Sequence, residues 1–155
     1  MDQAPVQNVD VVKSLETTLT ILNHKTKQGV AVQRDYQPVP LLVNSFGSEL
    51  NQVWTNIIDN AIDAMHGQGE LRIRTYQDDG CAVVEIGDNG PGIPTEVQPH
   101  IFEPFFTTKG VGEGTGLGLD TVQRIVKKHR GNIQVISEPG HTRFQVWLPL
   151  ADALP

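Results

Sequence analysis

The chain alternates between two hydrophobic periods. Val11, Val12, Leu15, Leu19 and Leu22 fall at helical spacing, which predicts a helix over 11–22. Val30 and Val32 alternate with neighbours up to Tyr36, a strand closed by Pro38 and Pro40. Leu41–Val43 reads as a short, edge-like strand. The longest stripe follows: Leu50, Val53, Trp54, Ile57, Ile58, Ala61 and Met65 lie on one side of a predicted helix. Ser45 is its candidate cap, Glu49 falls in an early turn, and Gly67 and Gly69 end it. Leu71–Tyr76 and Cys81–Ile86 are strand-like and joined by Gln77-Asp78-Asp79-Gly80, a hairpin signal. From Gly87 to Gly118 the chain is loop-rich, with a short helix expected near Thr95–Ile101. Leu117–Arg130 is helical with Val122, Ile125 and Val126 inward and Gly131 as its stop. Two strands, Ile133–Ser137 and Thr142–Leu148, flank a turn at Glu138-Pro139-Gly140.

Hairpins mixed with helices predict an α/β two-layer sandwich, with a mixed, largely antiparallel sheet covered on one face. Residues 1–9 are polar and read as a frayed tail or linker remnant, residues 10–150 as one domain, and 151–155 as a second tail. The length of 155 residues suits a single domain with a sizeable core. With 38% apolar and 19% charged residues, the chain is neither a membrane span nor a disordered tail. Its net charge of −6 argues against a sequence-independent grip on nucleic acid or on an anionic membrane. The single cysteine, Cys81, excludes a disulfide framework and a multi-thiolate zinc site. No basic-then-apolar leader pattern opens the sequence, so a cytoplasmic setting is expected.

Four segments carry candidate chemistry. On the central helix Asn56, Asn60 and Asp63 stand at i, i+4 and i+7 and so share a side. Asparagine is a mediocre helix former. Its carboxamide oxygen is a hard neutral ligand suited to Mg²⁺; two amides on a solvated face are the plain alternative. Next, Gly87-Asp88-Asn89-Gly90-Pro91-Gly92-Ile93 follows a strand and must turn sharply. An aspartate there accepts from an exocyclic amine, which adenine offers and guanine does not, or else makes an ordinary Asx turn. Third, Phe102-Glu103-Pro104-Phe105-Phe106-Thr107-Thr108-Lys109 joins aromatic residues to a lysine suited to phosphate, although the rings fit core packing as well. Last, Gly110, Gly112, Gly114, Gly116 and Gly118 lead straight into the final helix. Its first amides, near Thr115–Leu119, make an anion site, and Lys127, Lys128, His129 and Arg130 suit the opposite pole. A plain flexible loop is the alternative. The glycine spacing fits neither a dinucleotide fingerprint nor a P-loop. The five histidines (24, 66, 100, 129 and 141) are scattered and read as surface or internally satisfied groups.

Taken in order, these segments resemble the ATP-binding catalytic domain of bacterial sensor histidine kinases, in the wider group of gyrase, Hsp90 and MutL ATPases. Residues 56–61 are similar to the N box, 88–93 to the first glycine box, 102–109 to the F box and 114–119 to the second glycine box. The resemblance implies about five strands covered by three helices, with ATP and Mg²⁺ held under a lid. It implies Asn60 as the metal ligand, Asn56 near the phosphates, Asp88 on adenine N6, Gly92 shaping the adenine pocket, and Thr142 on the adenine-side water network. Lys109 and the amides of Gly116, Leu117, Gly118 and Leu119 reach the phosphate tail. Asp63, Gly90, Ile93, Phe102, Gly114 and Thr115 complete the expected nucleotide contacts, and Asn56, Asn60 and Lys109 are the expected catalytic groups.

Two departures shape the expected activity. The ATPase members carry a glutamate one turn before the metal-binding asparagine, and here that place is Asn56, which cannot act as a carboxylate base. Phosphoryl transfer to a protein is therefore expected ahead of hydrolysis. Pro139-Gly140-His141-Thr142-Arg143 is a poor third glycine box. No histidine has the helical, acid-followed context of a phosphoacceptor; His24, for one, precedes Lys25-Thr26-Lys27. The resemblance thus implies a catalytic half, monomeric alone, that phosphorylates a histidine on a separate dimerisation domain and through it serves a response regulator. A superfamily ATPase and an anti-sigma-type serine kinase are the alternatives.

Overall fold

The computed structural model describes residues 6–46, 48–104 and 118–151. In chain order the elements are β1 (Val6–Asp10), α1 (Val11–Ile21), α2 (Asn23–Thr26), β2 (Val30–Tyr36), β3 (Leu42–Phe46), α3 (Glu49–Ala64), β4 (Gly69–Asp78), β5 (Cys81–Asp88), α4 (Gly118–Lys128), β6 (Asn132–Glu138) and β7 (His141–Pro149). A single 3-10 turn, Gln98–His100, stands where a short helix was predicted.

Five strands form one sheet in the order β2-β4-β5-β7-β6. Only β2 and β4 run parallel; the other three pairings are antiparallel. The β4–β5 hairpin closes through Asp79 (φ 50°) and Gly80 (φ 79°), the left-handed pair that matches the strands' twist. The helices α1, α3 and α4 cover one face, as expected. Alternation along each strand sends Leu71, Ile73, Ala82, Val84, Ile86, Phe144, Val146 and Leu148 to that face, where all are buried. Against them α3 packs Leu50, Val53, Trp54, Ile57 and Ile58, each fully buried. At about 25 cal/mol per Å² of apolar surface removed from water, this contact favours folding. The indole N–H of Trp54 donates to Ser14 Oγ at 3.0 Å, tying α3 to α1.

Three expectations are corrected. Val6–Asp10 is not a frayed tail: its residues pair antiparallel with Phe46–Leu42 to make a separate two-stranded sheet. Val6–Asp10 is thus part of the folded unit, and Asp10 ends the strand by capping α1, its carboxylate accepting from the amides of Val12 (3.0 Å) and Lys13 (3.3 Å). Ser45 does not cap α3. It is a buried residue of β3, bonded at 2.9 Å to His129 Nε2, and α3 begins only after Ser48. Gly131 does not supply the left-handed residue that ends α4, because Arg130 does, at φ 62°. The glycine is required by proximity instead, since a Cβ at 131 would lie 2.2 Å from the Trp147 carbonyl oxygen.

Candidate nucleotide site

The site is assembled at one end of the sheet, where β5 and β7 finish and start. Asp88 is the last residue of β5 and pairs across the ladder with Thr142 of β7, which pairs in turn with Ser137 of β6. All three side chains point to the helix-covered face. Asp88 is 7% exposed and Thr142 4%. One carboxylate oxygen of Asp88 accepts from the Gly90 amide at 2.9 Å, so the Asx turn is present. Its other oxygen makes no hydrogen bond to a described residue. Burial pushes the Asp88 carboxyl above the usual carboxylate range, partly offset by the Gly90 N–H and by His141. A hydrogen-bond donor brought to that free oxygen would relieve the cost of keeping it charged.

The glycine loop after β5 is fixed from two sides. The Ile93 amide donates to Ser137 Oγ at 2.7 Å, and Ser137 Oγ shares a 2.7 Å hydrogen bond with Thr142 Oγ1. Gln98 Nε2 donates to the Ile93 carbonyl at 2.8 Å. Gly90 is buried over the end of α3, where a Cβ would lie 3.0 Å from the Ala64 carbonyl. Gly92 has φ +91°, and a Cβ there would lie 2.5 Å from the Glu138 carbonyl oxygen. Ser137 and Gln98 escape a reading of the sequence, because their roles come from strand register and from a contact across the loop. The one available signal is that Ser137 is a polar residue in an otherwise apolar inward row, Ile133, Val135, Ser137.

On α3, Asn56, Asn60 and Asp63 share a half-buried side as expected. Asn56 Nδ2 donates to the Gly118 carbonyl at 3.0 Å, which links α3 to the first residue of α4. Lys25 of α2 pairs with Asp59, beside Asn60, and that hydrogen bond holds its ammonium above the usual lysine range. Gly118 is exposed at the helix start, while Leu119 is half-buried against the core. Phe102 sets its ring edge-on to Phe144, 6.4 Å between centroids, so core packing accounts for it. Lys109, Gly114, Thr115, Gly116 and Leu117 lie outside the described residues. Among the described residues no three His, Cys, Asp or Glu side chains converge as a metal cage. A carboxamide such as Asn60 fits Mg²⁺ that takes its remaining ligands from phosphates and water.

Histidine 129 is satisfied internally, as expected. Its Nδ1 lies 2.8 Å from the Ile125 carbonyl and must donate, so Nε2 accepts from the Ser45 hydroxyl. No helix among the described residues is long and apolar enough to cross a membrane.

A mixed five-stranded sheet covered on one face, with a buried strand-end aspartate and a helix bearing paired asparagines, defines an ATP-binding catalytic fold. Residues 47–152 match the family described as histidine kinase-, DNA gyrase B-, and HSP90-like ATPase, and the chain belongs to it. It is 40% identical over 133 residues to the sensory histidine kinase/phosphatase NtrB of Rhodobacter capsulatus, covering 77% of this chain and 37% of that protein. It is 44% identical over 110 residues to the signal transduction histidine-protein kinase AtoS of Escherichia coli K12, covering 70% of this chain and 18% of that one. Among solved structures, the catalytic domain of histidine kinase ThkA superposes with a TM-score of 0.85 at 26% identity, covering 97% of each chain. The chain thus has the fold of a histidine kinase catalytic domain and spans well under half the length of those two curated relatives.

Proposed function

We propose that this chain binds Mg²⁺-ATP between α3, the start of α4 and the loop after β5, and donates the γ-phosphate to a histidine on a separate dimerisation and phosphoacceptor domain. The observation that carries the reading is Asp88: a buried carboxylate with one oxygen unpaired among the described residues, framed by Thr142, Ser137 and Ile93. Such an acceptor selects adenine, which presents an amine where guanine presents a carbonyl. Gly92 lets the loop pass tightly enough to form the pocket's edge. Asn56 fastens the start of α4, whose first amides and dipole favour the phosphate tail. Asn60 would hold Mg²⁺, which neutralises phosphate charge as transfer proceeds. Lys109 and residues 114–117 complete the phosphate contacts in this reading.

The chain's own residues bind and orient; the nucleophile comes from the partner's imidazole. Asn56 occupies the place of the family's hydrolytic glutamate, and its amide cannot take a proton from water. Transfer is favoured over hydrolysis, and a response regulator in the cytoplasm is the downstream acceptor. The relatives NtrB and AtoS are named as histidine kinases, which supports this over the serine-kinase alternative. Calorimetric titration with ADP and GDP in Mg²⁺ tests the pocket. Wild type binds ADP alone, Asp88→Asn binds at least tenfold more weakly, and Asn60→Ala loses the Mg²⁺ dependence. GDP binding as tight as ADP would refute the role of Asp88. Added to a phosphoacceptor domain, the chain yields an acid-labile phosphoprotein; an acid-stable product would mean serine transfer instead.

A further inference from the structure

The sheet face opposite the helices carries a groove of about 300 Å³ across β2, β4, β5 and β7. Its floor is set by register: Arg72 pairs with Gly87, and Gly87 with Arg143, so the three stand in one row on the same side. Gly87 leaves a gap between two arginines. The fold does not demand a glycine there, because its φ is outside the left-handed region and a Cβ would meet only the Thr142 carbonyl, at an ordinary 3.5 Å. The opening is therefore a property of the groove, not of the backbone.

The arginines around the gap are paired with carboxylates, with Arg143 the exception among the described residues: Arg34 is bonded to Glu16 at 2.7 Å. Arg72 is bonded to Glu70 at 2.7 Å. Arg74, in the next row, lies 3.8 Å from Asp35 and 3.9 Å from Glu85. Glu85 already accepts from Tyr76 and Gln145 at 2.8 Å each. Arg143 has a buried Nε with no hydrogen-bond partner among the described residues. A buried guanidinium N–H without an acceptor is costly, and an oxyanion is the group whose oxygens match it. His141 stands two residues before Arg143 on the same side and also lines the groove. Four arginines, Arg34, Arg72, Arg74 and Arg143, line this groove with Asp35 and Glu85, on the face turned away from the nucleotide site.

We propose that this groove binds a small oxyanion of two or more negative charges, held between Arg72 and Arg143 over Gly87. Its volume is at the small end of ligand pockets. Strand alternation puts it back to back with the proposed adenine edge, since Asp88 and Thr142 are the next residues on β5 and β7 and face the other way. The chemistry is shared by phosphate-bearing and dicarboxylate metabolites.

The test is a titration of the isotopically labelled chain, without nucleotide, by inorganic phosphate and by succinate at constant ionic strength. Amide and arginine Nε resonances are followed. The expected result is saturable shifts at Arg72, Gly87 and Arg143 with at least one of the two anions, and which one responds identifies the class. Arg143→Gln weakens binding at least tenfold, and Gly87→Leu, or Gly87→Ser should the leucine variant fail to fold, reduces it comparably by filling the floor. Shifts that grow linearly without saturation would overturn the site, as would shifts centred on Asn56, Gly118 and Leu119, or binding undiminished in the variants. A separate ADP titration must move Ile93 and Thr142. Failure there would remove the nucleotide reading and leave the groove result standing.

Discussion

Two glycines, Gly87 inside β5 and Gly92 in the loop that follows it, make opposite predictions. At Gly92 the backbone is left-handed, φ +91°, and a Cβ would stand 2.5 Å from the Glu138 carbonyl oxygen and 2.9 Å from its carbon. An alanine must hold a conformation that costs about 1–2 kcal/mol for a residue with a side chain. It must also retreat by roughly 1 Å to reach ordinary carbon–oxygen contact. The obstacle is backbone of the β6–β7 turn, so the loop has to move and not a side chain. Movement stretches the 2.7 Å hydrogen bond from the Ile93 amide to Ser137 Oγ, worth about 1 kcal/mol. Gly92→Ala should therefore lose about 2–3 kcal/mol of stability in urea unfolding, from the conformational and hydrogen-bond costs together. ADP affinity should fall about tenfold or more in calorimetry, near 1.4 kcal/mol or above. Gly87→Ala is the internal control, because its Cβ meets ordinary contact at 3.5 Å; it should stay within about 0.5 kcal/mol of wild type. Equal stability and affinity for Gly92→Ala and wild type would refute the close-approach argument, and so would equal damage from Gly87→Ala.

Asp88 gives a pH signature. Its carboxyl is raised on folding, so the associated stability is fully present below the ordinary carboxylate range and is lost as pH rises through the elevated value. Asp88→Asn should thus gain stability over wild type as pH rises from acid towards neutrality, while binding ADP less well; a gap that is flat with pH would contradict the burial argument. Ser14→Ala leaves the fully buried Trp54 indole N–H without its acceptor and removes the Ser14 bond to Asn51. The expected loss is about 1–3 kcal/mol by chemical denaturation, and a neutral result would mean that water takes the hydroxyl's place.

What the sequence shows and what it hides divide along local and long-range order. The seven-residue stripe on α3 and the strands around Asp79-Gly80 are legible because period and turn chemistry lie within a short window. Val6–Asp10 is illegible because only β3, brought alongside by the rest of the fold, makes it a strand. Ser45 misleads because a serine ahead of Glu49 looks like a cap, whereas His129, buried just after α4, claims it. At the site, Asp88 and the asparagines announce themselves by unusual residue types in unusual places. Ser137 and Gln98 do not, since neither their types nor their spacing is unusual: the register Ser137↔Thr142 gives the first its work, and a hydrogen bond across the loop to the Ile93 carbonyl gives the second its own. The same holds for the parallel β2–β4 pair, whose partners are separated by β3 and α3.

The seam between β5 and β7 also has a kinetic meaning. Each belongs to its own local hairpin, β4–β5 and β6–β7, and each hairpin can form early at small entropic cost. Asp88 and Thr142 meet only when those hairpins dock across a long stretch of intervening chain. Because nucleotide would touch both, it recognises the docked molecule and nothing that precedes it. Bound ADP should then slow unfolding while leaving the folding rate unchanged, so that the nucleotide acts on the lifetime of the native state and not on the route to it.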